Sequence, residues 1–158
     1  MESQEAGKNP VVQKLRDWNP QAVAEVTDFR GETTIVVPRQ LLVRVSEYLV
    51  DEPSLRFSFL SDLTPVDRFP MEPRFELNYH LLSLNRKERL RLQVKLSGAD
   101  PSVASVTPVW PTANWHEREA FDLFGIRFEG HPDLTRILMP DDWEGHPLRK
   151  DYPVEGYR

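Results

Sequence analysis

The run RLRLQVKL, residues 89–96, alternates without a break: Leu90, Leu92, Val94 and Leu96 face one way, Arg89, Arg91, Gln93 and Lys95 the other. Successive side chains of a strand point to opposite sides of its sheet, so the run predicts a strand with one buried and one wet face. RFELNYHLLSL, residues 74–84, repeats the pattern with Phe75, Leu77, Tyr79 and Leu81 against Glu76, Asn78 and His80. The link NRKE between them is short enough for an antiparallel hairpin.

A one-sided sheet needs a second layer over its apolar face. Val11, Leu15 and Trp18 fall at helical spacing behind Asn9-Pro10, and Asn19-Pro20 ends that helix. AVAEVTDFR and TTIVV read as two strands joined across Gly31-Glu32. Pro38 opens a second helix with Leu41, Leu42, Val45 and Leu49 on one stripe, and LRFSFLSDL then reads as a strand. A third helix, TANWHEREAFDLFG, carries Gly125 as its available C-cap. The expected fold class is α+β in two layers, with helices on one face of a mostly antiparallel mixed sheet. Its order is helix, two strands, helix, three strands, then a helix and an extended C-terminal arm. The expected boundaries are 1–125 for the α+β domain and 126–158 for the arm.

Composition removes several function classes. A chain of 158 residues suits one domain with a core of its own. A net charge of −5 gives no support to an electrostatic nucleic-acid binder. No apolar run approaches the length of a membrane span, and MESQEAGKNP lacks the apolar stretch of a signal peptide. There is no cysteine, so this chain makes no disulfide and offers no thiolate to zinc or an iron–sulfur cluster.

The helix 113–124 holds the densest chemistry. Ala120, Phe121 and Phe124 share one side with Glu117 at its edge, while Trp115, Glu119 and Asp122 share the other. Two readings stay open: a helix sandwiched between its own core and something else, or a solvated face with one half-exposed Trp. Glu117 and Glu119 point about 160° apart, which speaks against a catalytic pair. HERE begins like the zinc-protease helix but has Ala120 where the second His belongs. His131 and His146, each inside a Gly-His-Pro, are expected to hold position rather than metal. No phosphate loop or nucleophile elbow is present, and no catalytic residue is expected here.

Beyond residue 130 the periodicity stops. Fixing each backbone residue there costs about 1–2 kcal/mol, yet the segment carries Leu134, Ile137, Leu138, Met139, Trp143, Leu148, Tyr152 and Val154. Prolines at 132, 140, 147 and 153 lower the entropy lost on ordering. The expectation is a strap that gains its order from neighbouring subunits, with Arg136, Arg149 and Lys150 and Asp133, Asp141, Asp142 and Asp151 setting register by charge pairing. The alternative is an arm that folds back over its own domain.

NWHEREAFDLFGIRFEGHPDLTRILMPDDWEGHPLRKDYP, residues 114–153, resembles the signature of the 30 kDa subunit family of respiratory complex I, the NADH-quinone oxidoreductase. LSDLTPVDRFP, FELNYHLLSL and VTPVWPTANW are similar as well, so the likeness covers roughly residues 55–153. Thr135 departs from the basic residue or Pro expected there. The resemblance implies a cofactor-free, non-catalytic subunit of the peripheral arm of a proton-translocating enzyme that passes electrons from NADH to quinone. FMN and iron–sulfur clusters would sit on partner subunits. It implies two neighbours, a 49 kDa-type subunit and the subunit that bears the terminal iron–sulfur cluster, at the cytoplasmic face of the bacterial inner membrane. The interface residues it implies are Trp115, Glu117, Arg118, Glu119, Asp122, His131, Arg136, Trp143, His146, Arg149, Lys150, Asp151 and Tyr152. The equivalent subunit of a membrane-bound hydrogenase or another donor-quinone oxidoreductase carries the same signature. A free-standing hydrolase using His116, Glu119 and Asp122 is the competing reading, and it requires the three side chains to converge on one pocket.

Overall fold

The computed structural model describes residues 8–157; most of the N-terminal MESQEAGKNP lies outside the described residues. Helix α1 (Pro10–Trp18) starts where Asn9 Oδ1 accepts the Val11 N–H at 2.9 Å, with Pro10 in the first turn where no donor is needed. A hairpin of β1 (Glu25–Phe29) and β2 (Glu32–Val36) follows. Its two-residue turn is Arg30-Gly31, both at positive φ, one residue earlier than expected from Gly31-Glu32. A short 3₁₀ turn at Arg39–Leu41 leads into α2 (Leu42–Asp51), which buries Leu42, Val45 and Leu49 as its stripe predicts.

Three strands complete the main sheet: β3 (Phe59–Asp67), β4 (Phe75–Ser83) and β5 (Glu88–Leu96). The strand order is β1-β2-β5-β4-β3, antiparallel throughout except for β2 beside β5. The alternation in β4 and β5 holds: Phe75, Leu77, Tyr79, Leu92 and Val94 are fully buried. They share one core with Val11, Val12 and Leu15 of α1 and with Leu42, Val45 and Leu49 of α2. Each such side chain contributes about 1.5–3 kcal/mol when buried.

β3 begins later than LRFSFLSDL suggests. Leu55 and Phe57 are buried, but their N–H groups bond to Glu52 and Leu49 at the end of α2 instead of joining the ladder. The strand runs on through Pro65, which an edge strand tolerates because one side of it needs no donors.

After β5, the short strand β6 (Ser102–Ala104) pairs in parallel with β7 (Arg127–Glu129). Between them lies α3 (Ala113–Phe124), which buries Ala113, Glu117, Ala120 and Asp122 and packs on the core beside β3. Ile126 and Phe128 are also core residues, so the domain continues past Gly125 to Glu129, and irregular chain starts at Gly130 rather than at residue 126.

Candidate functional site

The end of α3 is where the chemistry gathers. A helix leaves its last carbonyls without intrahelical donors, and its C-terminus favours cations. Here the arm supplies both. Asp122 O accepts from His146 Nδ1 at 2.9 Å and from Arg136 Nη1 at 3.1 Å. Leu123 O accepts the Leu148 N–H at 3.0 Å, and Phe124 O accepts Arg149 Nε at 2.6 Å. Gly125, with φ 73°, turns the chain away at this point. A Cβ there would lie 2.5 Å from the His146 ring and 2.6 Å from the Arg149 guanidinium, so glycine is needed for the close approach as well as for the turn.

The Asp122 side chain makes the first latch. Its Oδ2 accepts the consecutive N–H groups of Ile137, Leu138 and Met139 at 3.1, 2.7 and 2.9 Å, a nest of backbone donors around one carboxylate oxygen. Its Oδ1 accepts Arg136 Nη1 at 2.7 Å, and Arg136 Nη2 reaches on to the carbonyls of Trp143 and Gly145. Burial would raise the Asp122 pKa, but the Met139 N–H, Arg136 and the other two N–H groups outweigh it and hold the carboxyl below its usual range.

A second latch joins the arm to the β3–β4 hairpin. Asp67 accepts Arg74 Nε and Nη2, both at 2.9 Å, and the Lys150 N–H at 2.8 Å. Arg74 also holds Asp151 at 2.7 Å. Burial opposes ionisation of Asp67, yet the Arg74 guanidinium and the Lys150 and Phe69 N–H groups bring its pKa down to about 2. Smaller staples complete the seam: Arg118 donates to the carbonyls of Thr135 and Arg136, and His131 Nε2 donates to Asn114 O while its Nδ1 accepts the Asp133 N–H.

Several expectations therefore change. Glu117 and Asp122 have no accessible surface in the single chain, so neither offers a side chain to a neighbour there. Glu117 lies in the core, where its carboxylate accepts Ser105 Oγ at 2.7 Å and the Val106 N–H at 2.8 Å; burial pushes its pKa up to about 7 despite those bonds. The face of Trp115, Glu119 and Asp122 splits: Trp115 and Glu119 are exposed, while Asp122 is roofed by the arm. Two of the charges expected to set the arm's register do so within its own domain, Arg136 on Asp122 and Asp151 on Arg74, with Asp67 alongside. His116, Glu119 and Asp122 do not converge, since His116 faces Asp62 at 3.4 Å and both Asp122 oxygens are occupied. His131 and His146 hold position, as expected; burial, with Arg149 and Arg136, outweighs the bond to Asp122 O and lowers the His146 pKa. Sequence reasoning missed Asp67 and Arg74, whose acid–base pair flanking a proline-rich loop was the available signal.

The arm turns large apolar side chains outward, among the exposed acids Asp133, Asp141, Asp142, Glu144 and Glu155. Leu138 is 61% exposed and Leu148 53%, with Ile137, Trp143 and Val154 also open and Trp115 of α3 at 59%. Arg149 and Arg136 face in and the aliphatic and indole groups face out. Among the described residues no three His, Asp or Glu side chains form a metal-binding group, and no helix is long and apolar enough to cross a membrane.

The family model for the respiratory-chain NADH dehydrogenase 30 Kd subunit matches residues 35–158, which spans both latches. The chain belongs to this family. A relative from Roseiflexus sp., a subunit of NADH-quinone oxidoreductase, is 51% identical over 144 residues, covering 91% of this chain and 83% of the relative. Among solved structures, a trypsin-resistant fragment of Nqo5 superposes with a TM-score of 0.65 at 33% identity, over 78% of this chain and 96% of the fragment. A chain of the membrane-bound sulfane sulfur reductase, an archaeal respiratory membrane complex, superposes with a TM-score of 0.73 at 25% identity, over 93% of this chain and 86% of that one. The two Gly-His-Pro blocks, fifteen residues apart, lie within the matched span.

Proposed function

We propose that this chain is the non-catalytic 30 kDa-type subunit of a proton-translocating NADH-quinone oxidoreductase, a structural piece of its peripheral arm. One observation carries the reading: Arg136 and Arg149 anchor the arm inward, while Leu138, Trp143, Leu148 and Val154 stand exposed on it. A lone protein in water gains nothing from that arrangement, whereas an obligate interface requires it. Electrons would pass from NADH through FMN and iron–sulfur clusters on other chains to quinone. This protein would hold the 49 kDa-type subunit and the bearer of the terminal cluster in register, at the cytoplasmic face of the membrane. The absence of cysteine supports a role without a cluster of its own. The surface set for this task is Trp115, Arg118, Glu119, His131, Trp143, Lys150 and Tyr152 together with the outward aliphatics of the arm.

The likeness to the sulfane sulfur reductase chain keeps a second parent in view, a related membrane-bound oxidoreductase with another electron donor. The 51% identity to the Roseiflexus protein favours the NADH-fed complex over the 25% of the reductase chain. Affinity purification of the tagged chain from detergent-solubilised membranes tests both readings. The expected outcome is an assembly that reduces quinone with NADH, no turnover by the chain alone, and loss of co-purified subunits with Trp143→Ala. Purification as a lone monomer from membranes that retain NADH-quinone activity defeats the proposal.

A further inference from the structure

The loop between β3 and β4, Arg68-Phe69-Pro70-Met71-Glu72-Pro73-Arg74, is built on the same plan as the arm, and nothing in the described chain covers its tip. Each polar side chain of the loop is engaged. Arg68 pairs with Glu76 at 3.0 Å, Glu72 accepts the Gly98 N–H at 2.9 Å, and Arg74 lies between Asp67 and Asp151. The backbone is closed by Arg68 N–H to Arg74 O at 2.7 Å and Met71 N–H to Arg68 O at 2.9 Å. Beside the exposed but paired Arg68 and Glu72 stand Met71, 66% exposed, and Phe69, 43% exposed, flanked by Pro70 and Pro73. A pinned loop tip with two large apolar side chains in water loses hydration free energy with no gain in folding.

The tip is continuous with the arm. The Arg74 guanidinium stacks on the Phe69 ring at 4.8 Å and grips Asp151 on the arm, so a single side chain joins the two surfaces. We infer that the Phe69–Met71 tip is a second docking element, covered by the same protein neighbour that covers the arm, through an apolar, charge-poor patch on that neighbour. This rests on the reading of the chain as an assembly subunit.

Lipid is the other apolar surface such a tip could meet, and the charges argue against it. Peripheral membrane contacts pair apolar residues with free Lys and Arg that reach anionic headgroups. Here Arg68 and Arg74 are held by carboxylates and Arg149 by a backbone carbonyl; the exposed Lys150 is followed by the exposed Asp151, and the net charge is −5.

A chain without cysteine allows a direct test, because one introduced thiol is unique on it. Met71→Cys, Leu138→Cys on the arm, and Leu84→Cys at the exposed β4–β5 turn are each placed in the assembled complex and labelled with a maleimide. The extent of labelling is read on this chain's band. Relative to the free chain, Met71→Cys and Leu138→Cys are expected to label at least ~10-fold more slowly in the complex, and Leu84→Cys unchanged. Protection of Leu138→Cys with free labelling of Met71→Cys overturns the docking tip and leaves the assembly role standing. Free labelling at both positions removes the role as well. Protection of Met71→Cys on the free chain by vesicles of phosphatidylcholine and phosphatidylserine overturns the choice of a protein neighbour.

Discussion

On the sheet face opposite the helices, Arg91 reaches Glu32 at 2.7 Å and Lys95 reaches Glu25 at 3.2 Å, cross-strand pairs standing in water. Along the arm, Arg136 and Arg149 turn inward while Leu138, Trp143 and Leu148 turn outward. Both surfaces are exposed in the single chain, but Arg136 and Arg149 of the arm are turned to its own domain and the basic groups of the sheet face to solvent-facing acids. A shallow depression of about 430 Å³ on the sheet face has Phe59 and Leu82 in its wall, with His80, Arg89 and Arg91 facing Glu32 and Asp62. Charges paired with each other suit solvent. Charges spent on holding a strap in place, with aliphatic groups left over, suit a second protein. The difference is what the proposed assembly role rests on.

The comparison breaks most readily at Asp122. Asp122→Ala leaves three N–H groups and the Arg136 charge without their acceptor, and the expected loss is about 3–5 kcal/mol in urea unfolding of the isolated chain. Limited proteolysis should then cut beyond residue 130. An unchanged unfolding midpoint with an intact arm contradicts a strap held by its own domain. Gly125→Ala, which meets both a positive φ and the His146 and Arg149 side chains, is expected to cost about 1–3 kcal/mol by the same measurement.

Acid and base act on two different parts. Asp67 titrates near 2 when folded and near 3.9 when unfolded, so its latch contributes fully above about pH 4 and is lost as pH falls toward 2. Glu117 has the opposite sign. Its folded value is raised to about 7 against about 4.3 unfolded, so its contribution is complete below about pH 4 and is lost as pH rises to 7. Glu117→Gln should flatten the fall in stability between about pH 4 and 7 in urea unfolding, and a curve as steep as the parent's would reassign the effect.

The smallest effects on folding sharpen the contrast most. Leu138→Ser should change isolated-chain stability by no more than about 0.5 kcal/mol yet lower recovery of partner subunits. Lys95→Ala on the sheet face should also cost about 0–1 kcal/mol, with recovery unchanged. Equal recovery with the two variants would erase the distinction between the surfaces.

Much of the scaffold was legible from residue order alone. Alternation in residues 89–96 and 74–84, the stripe of α2 and the Asn9-Pro10 start of α1 each report on which side of an element water lies, and that is a local property. The likeness of residues 114–153 to the 30 kDa subunit signature likewise pointed to the family that the matching model shows. The three-residue strands β6 and β7 left no trace, because so short a run cannot show a period. Charge offered less. Asp122 shares a helical side with exposed Trp115 and Glu119, and nothing in a 3.6-residue period says that a strap fifteen residues later will roof it.

Residue order thus determined the inward faces, the helix ends and the kinship of this protein. Tertiary structure alone decided that β2 lies parallel to β5, that Asp67, Arg74 and Asp151 meet, and that the arm's donors cap α3. The reason is range. Apolar burial leaves a periodic imprint on neighbouring residues, whereas a hydrogen bond or ion pair needs only proximity in space, between groups up to 83 residues apart.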